Sequence, residues 1–277
     1  MLEFACHTWA FNDLSLTEAL GTIARLGFRY VDIGSGPHLS VSRIAQDPRG
    51  VAREVQRELA TYNLKLSDLY IMLPRISLAD EKKRQGDIDL YKSLLPFIVA
   101  IEAPGVTLSP GLVHPADDED ALERTIIALR EMMEASKLAT PATQLRVSIE
   151  PHVDSMAQQP ENILKILEQV DDLELTLDWA QLVYQDIFHD TIAELIPKAR
   201  HIQMRQAARA QLQTPFKRGR INVKKVVESL KKADYEGIVS VEYMKTSSDR
   251  HGLVAVDAII EATQMRDALR DARDEIY

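Results

Sequence analysis

The chain has 277 residues, 33 of them Lys or Arg and 42 Asp or Glu, for a formal net charge of −9; 45% are apolar, with only 11 Gly and 12 Pro. This composition belongs to a globular chain with a sizeable core and excludes disordered, collagen-like and low-complexity classes. The acidic balance argues against nucleic acid as a partner, and the single Cys6, with no CxxC or Cys/His finger spacing, excludes an intramolecular disulfide and a zinc ribbon. No long apolar run and no leader-like N-terminus occur, so a cytoplasmic chain without a membrane partner is expected.

In chain order, short β-branched or apolar runs alternate with segments of helical period. Strands are predicted at 4–9, 30–33, 66–71, 106–108, 145–150, 173–178, 201–204 and 238–243. Helices are predicted at 16–26, 49–62, 87–101, 118–139, 160–169, 189–196, 223–232 and 255–274. Ser15 or Thr17 is placed to cap the first helix and Gly27 to end it; Asn222 is placed to cap the seventh and Gly237 to end its turn. A ladder of βα units with no linker predicts an α/β protein in which residues 1–277 form one (β/α)8 TIM barrel domain, with an open doubly wound sheet as the alternative. No GxGxxG and no GxxxxGK[ST] motif follows a strand, which removes the common nucleotide-binding readings.

Barrel strands are buried on both faces, so a charge at the end of one requires an explanation. Val147-Ser148-Ile149-Glu150, Leu175-Thr176-Leu177-Asp178 and Val239-Ser240-Val241-Glu242 each end in an acid, and the C-terminal rim is where barrel enzymes place their chemistry. Three buried carboxylates repel one another and call for a positive partner, either a divalent metal ion or an Arg/Lys cluster; the plainer alternative is that each caps the next helix. On the seventh strand, alternation puts His201, Gln203 and Arg205 on one face, and the Gln203 amide oxygen is a weak ligand for a hard cation.

These pieces, with Phe4-Ala5-Cys6-His7-Thr8-Trp9, Gly27-Phe28-Arg29-Tyr30-Val31-Asp32-Ile33, Ser148-Ile149-Glu150-Pro151-His152, Thr176-Leu177-Asp178-Trp179 and the closing Tyr235-to-Tyr243 segment, resemble the xylose-isomerase-like family. That family comprises metal-dependent TIM-barrel sugar phosphate isomerases and epimerases. The resemblance implies that Glu150, Asp178 and Glu242 hold one divalent ion, with Gln203 offered by the seventh strand as the fourth metal ligand, and that Glu150 and Glu242 act as catalytic acid and base. Gln203 stands where a family member usually has His, and Gln181 follows Asp178 where a second His is common. An oxygen-only donor set favours Mn or Mg over zinc.

The resemblance also implies a keto sugar or sugar derivative as substrate, contacted by His7, Trp9, His152, Arg205 and Arg209. The expected reaction is proton abstraction next to a carbonyl through an enediolate, giving epimerisation or isomerisation; β-elimination by a dehydratase or lyase uses the same site. A metal-free sugar-binding pseudo-enzyme is the reading from another class. Lys217-Arg218-Gly219-Arg220 is a candidate anion grip or a solvated basic loop, and Met132-Met133 and the last helix are candidates for either a homo-oligomer face or core packing.

Overall fold

The computed structural model describes residues 2–115, 118, 120–140, 145–245 and 250–277. Its eight strands are β1 (Glu3–His7), β2 (Tyr30–Gly34), β3 (Lys65–Ile71), β4 (Gly105–Leu108), β5 (Arg146–Ile149), β6 (Glu174–Asp178), β7 (Ala199–Met204) and β8 (Ile238–Val241). They pair in parallel and in sequence order, and β8 returns to β1 to close the barrel. Helices α1 (Leu16–Arg25), α2 (Val41–Gln46), α3 (Pro48–Thr61), α4 (Glu81–Ala100), α5 (Ala121–Ala139), α6 (Pro160–Gln169), α7 (Trp179–Tyr184), α8 (His189–Ala193), α9 (Val223–Lys232) and α10 (Ala258–Ile276) lie between and after them. The (β/α)8 expectation therefore holds and the open sheet is set aside. The short helices α2 and α7 are additions to the expected pattern. The predicted start of α5 lies partly outside the described residues.

Local signals act largely as expected. Ser15 and Glu18 form a reciprocal capping box on α1, Gly27 follows that helix at φ +81°, and Asn222 caps α9. The end of α9 needs correction: Asp234, at φ 50°, takes the left-handed position expected of Gly237, because an Asp side chain tolerates that backbone and stands nearer the last turn.

Along the strands, one set of alternating side chains faces the helices and builds the core: Phe4, Val31, Ile33, Leu69, Ile71, Val106, Val147, Ile149, Leu175, Leu177, Ile202, Met204, Val239 and Val241 are all buried there. Met132 and Met133 also belong to this core, which removes them as a partner-facing pair. The other set fills the barrel and is largely polar: Asp32, Asp68, Thr107, Ser148, Thr176, His201 and Ser240 are buried there. Two bulges shape it. Asp32 pairs with Asp68 while Val31 pairs with Leu66, so Ser67 is the extra residue on β3. Leu175 pairs with Ala199 but Thr176 with His201, so Arg200 is the extra residue on β7. A bulge re-aims a side chain, and both extra residues reach into this layer. Ser67 donates to Asp32 Oδ1 at 2.6 Å, and the Arg200 guanidinium pairs with Asp68. His201 Nε2 lies 2.8 Å from Asp32 Oδ2, and the Thr107, Ser148 and Thr176 hydroxyls complete a buried network around Asp68. Among the described residues, no helix is long and apolar enough to cross a membrane.

Candidate active site at the barrel mouth

Above that layer, the strand ends bring the three acids together. Asp178 is the last residue of β6, and Glu150 and Glu242 each stand one residue beyond their strands, where their N–H groups extend the ladder to Leu108 and Met204 carbonyls at 3.0 Å. Ligand atoms of Glu150, Asp178 and Glu242 all lie within 4.8 Å of one another, and the residues are 3%, 1% and 1% exposed. The convergence expected from the sequence is therefore present. Asp178 also caps α7, its Oδ1 accepting from Ala180 N–H at 2.8 Å. The capping alternative is thus true of this one acid without excluding the cluster.

Gln203 is level with Asp178 and with Ser240, at the centre of the mouth. It is wholly buried, and neither its amide nitrogen nor its amide oxygen has a hydrogen-bond partner. A buried amide without partners costs a few kcal/mol, which fits a position built to meet a ligand.

Among the described residues, the cation in contact with the acids is Arg205. Met204 is level with Val241, so Arg205 emerges beside Glu242. Its guanidinium reaches Glu242 Oε2 at 2.7 Å and Asp178 Oδ2 at 2.9 Å, the second an ion pair without hydrogen-bond alignment. Nε donates to the Leu212 carbonyl and Nη1 to the Glu242 carbonyl, both at 3.2 Å. Arg205 is 1% exposed. Arg205 thus supplies one of the two kinds of positive partner that the sequence left open.

For Asp178 and Glu242, burial and the neighbouring carboxylates outweigh Arg205 in setting proton affinity. Burial, opposed by Arg205 and assisted by Glu150, raises the Asp178 pKa to about 6. Burial, again opposed by Arg205 but helped by Glu150 and Asp178, holds Glu242 well above the usual carboxylate range. Tyr70, missed in the sequence, is buried beside Glu150, and both effects push its phenol well above the ordinary value. Its only signal was an aromatic near the end of a strand.

The expected substrate residues divide. His7 and Trp9 stand at the mouth with ring centroids 4.5 Å apart, and Tyr70 lies 4.9 Å from Trp9. Burial lowers the His7 pKa to about 3; the ring is neutral, Nδ1 accepts from Trp9 N–H, and Nε2 has no partner. Gly34 allows this cluster to form, since a Cβ there would come within 2.5 Å of Trp9 Nε1. His152 stays in the loop after Glu150, its ring nitrogens 2.9 Å from Ser109 Oγ and 2.8 Å from the Val153 carbonyl. Gln181 donates to Glu150 Oε1 at 3.4 Å. Arg209 turns to Asp186 at 3.5 Å with its side chain 73% exposed. The Lys217-to-Arg220 loop is a solvated one: Lys217 and Arg218 are exposed, and Arg220 pairs with Asp186.

A parallel eight-stranded barrel with a carboxylate cluster at its C-terminal rim defines a TIM-barrel protein with a site in the position where such barrels perform chemistry. Residues 20–270 match the family described as xylose isomerase-like TIM barrel, and the chain belongs to that family. No curated protein sequence matches it. Among solved structures, the fold is similar to a D-psicose 3-epimerase from Clostridium cellulolyticum H10 crystallised with D-tagatose, at 16% identity and TM-score 0.78, covering 98% of this chain and 99% of that one. It is also similar to a probable 3-DHS dehydratase from Bacillus anthracis, at 15% identity and TM-score 0.73, covering 97% and 99%. A xylose isomerase-like TIM barrel protein from Mycobacterium smegmatis in complex with magnesium shares 16% identity at TM-score 0.70, covering 99% and 98%.

Proposed function

We propose that this chain is an isomerase or epimerase of a keto sugar or sugar derivative, with Glu150 and Glu242 as the acid–base pair. The observation that carries the reading is the convergence of Glu150, Asp178 and Glu242, buried at one rim within 4.8 Å. Family membership and the similarity to a D-psicose 3-epimerase support it.

A divalent ion such as Mn or Mg, held by Glu150, Asp178, Gln203 and Glu242, would supply polarisation of the substrate carbonyl. The orphaned Gln203 amide suits such an ion, but the carboxylates as arranged do not: Asp178 Oδ1 is engaged by Ala180, and Asp178 Oδ2 and Glu242 Oε2 by Arg205. The chain's own groups are placed to carry the proton transfer. Two carboxyls in different environments divide the roles. Glu150, which accepts a long contact from Gln181 and lies beside Tyr70, takes the proton from the carbon next to the carbonyl. Glu242, whose proton affinity burial raises, returns one to the same carbon in an epimerase or to its neighbour in an isomerase. The buried Arg205 guanidinium and the free Gln203 and His7 N–H groups are the donors available to a developing enediolate oxygen. His7 and Trp9 would flank the sugar, with His152, Arg205 and Arg209 as further contacts.

Loss of a β-hydroxyl from the same enediolate makes the chain a dehydratase, and the similarity to a probable dehydratase supports that variant. The Arg205 pairing favours a second reading, a metal-free sugar-binding protein without turnover. The test is a panel of keto sugars in deuterated water, with and without Mn and Mg. Deuterium at the carbon next to the carbonyl is expected for one or more sugars. Saturable sugar binding with no deuterium uptake across the panel would replace the enzyme reading with the binding one.

A further inference from the structure

We infer that Arg205 is a built-in counter-cation that occupies the place of a divalent ion, so that the carboxylate centre works without metal. The inference deepens the proposed function and rests on it only for its catalytic consequence, since occupancy of the centre is measurable without turnover.

Geometry carries it. The guanidinium bridges β6 and β8 through Asp178 Oδ2 at 2.9 Å and Glu242 Oε2 at 2.7 Å. A divalent ion bound by Asp178 and Glu242 at about 2.0–2.6 Å would compete with the guanidinium for these oxygens. The remaining Asp178 oxygen is held by Ala180 N–H, so that side chain has no unengaged oxygen to offer. Glu150, the second Glu242 oxygen and Gln203 are then the donors left beside a guanidinium, and a neutral amide is a weak ligand.

The arrangement is also fixed rather than incidental. The Leu212 and Glu242 carbonyls hold Nε and Nη1, and the loop that carries Leu212 is itself tied back, with Thr214 N–H donating to the Gln206 carbonyl at 2.8 Å and Leu212 N–H to that of His251 at 3.0 Å. Arg205 thus meets two carboxylates and two carbonyls while 1% exposed. Guanidinium stays charged at any working pH, and an ion brought beside it meets like-charge repulsion in a dry site. An Arg fork matches carboxylates in a way that a hydrated ion need not be recruited to reproduce.

The experiment titrates the full-length, chelator-treated chain with Mn, reading bound ion by electron paramagnetic resonance and metal analysis, and reading Tm. Wild type is expected to take up far less than one Mn per chain at micromolar concentrations and to keep its Tm in chelator. Arg205→Ala is expected to bind about one Mn per chain, with Tm raised by about 5 °C or more by the ion. If Arg205→Ala does not fold, Arg205→Gln, which keeps most of the length and loses the charge, takes its place. Stoichiometric micromolar Mn uptake by wild type overturns the inference whatever the variants do. Equal failure of wild type and the folded variant to bind Mn overturns it too, because the guanidinium would then not be what keeps the ion out. Neither readout depends on a sugar being turned over.

Discussion

Two layers of charge sit one above the other in the barrel, and they are balanced differently. In the middle layer, Asp32 and Asp68 face His201 and Arg200, and all four carboxylate oxygens have a partner: Ser67 and His201 for Asp32, Thr107 and Arg200 for Asp68. At the rim, three carboxylates face one Arg, while both Gln203 amide atoms, His7 Nε2 and the Tyr70 hydroxyl are buried without partners. Buried polar groups that satisfy one another rigidify a core, whereas those left open cost stability unless something else meets them. The middle layer is therefore read as structure and the rim as the place where a ligand completes the bonding.

This contrast can be broken at either layer. The largest effect is expected at the rim: Glu150→Gln and Glu242→Gln should each lower solvent-deuterium incorporation by about 1,000-fold with little change in urea midpoint. Most of the rate surviving in either variant would remove the two-carboxylate assignment. In the middle layer the order reverses. Arg200→Met leaves the buried Asp68 without its ion pair and should cost about 3–5 kcal/mol in urea unfolding, with the rate per folded molecule largely kept.

Acid sharpens the same distinction. Burial alone would raise the Asp32 pKa, but the charge and hydrogen bond of His201 overcome it and lower the value from 3.8 to about 2. A carboxylate depressed on folding stabilises above its unfolded value and loses that contribution as pH falls through the folded one. Between pH 4 and 2 the wild type should lose about 2 kcal/mol that Asp32→Asn does not. Parallel pH profiles for the two would contradict the pairing.

The smallest effect is expected at Arg209. With its side chain 73% exposed and its ion pair to Asp186 at 3.5 Å, Arg209→Ala should change stability by less than about 0.5 kcal/mol. A tenfold rise in KM with unchanged stability would bring it into the site as a substrate contact.

Much of this molecule was legible in one dimension. The eight βα units follow from the alternation of strand and helix periods, and Glu150, Asp178 and Glu242 were recognisable because each ends an apolar run. The middle layer was not read, although Val31-Asp32-Ile33 and Ser67-Asp68-Leu69 put an acid inside a strand, a signal as direct as an acid at its end. Ser67 and Arg200 were beyond reach, because strict alternation sends them to the outer face and only the bulges turn them inward.

The sequence by itself determined the barrel and the ring of acids, since both depend on local period and on which residues end a strand. The tertiary structure decided which cation answers those acids. Alternation could place Arg205 on the face of Gln203, but a guanidinium bridging β6 and β8 depends on strand register and on the Leu212 loop closing over it. Both are contacts between residues distant in sequence, fixed by the closure of the barrel and not by the period of any one segment.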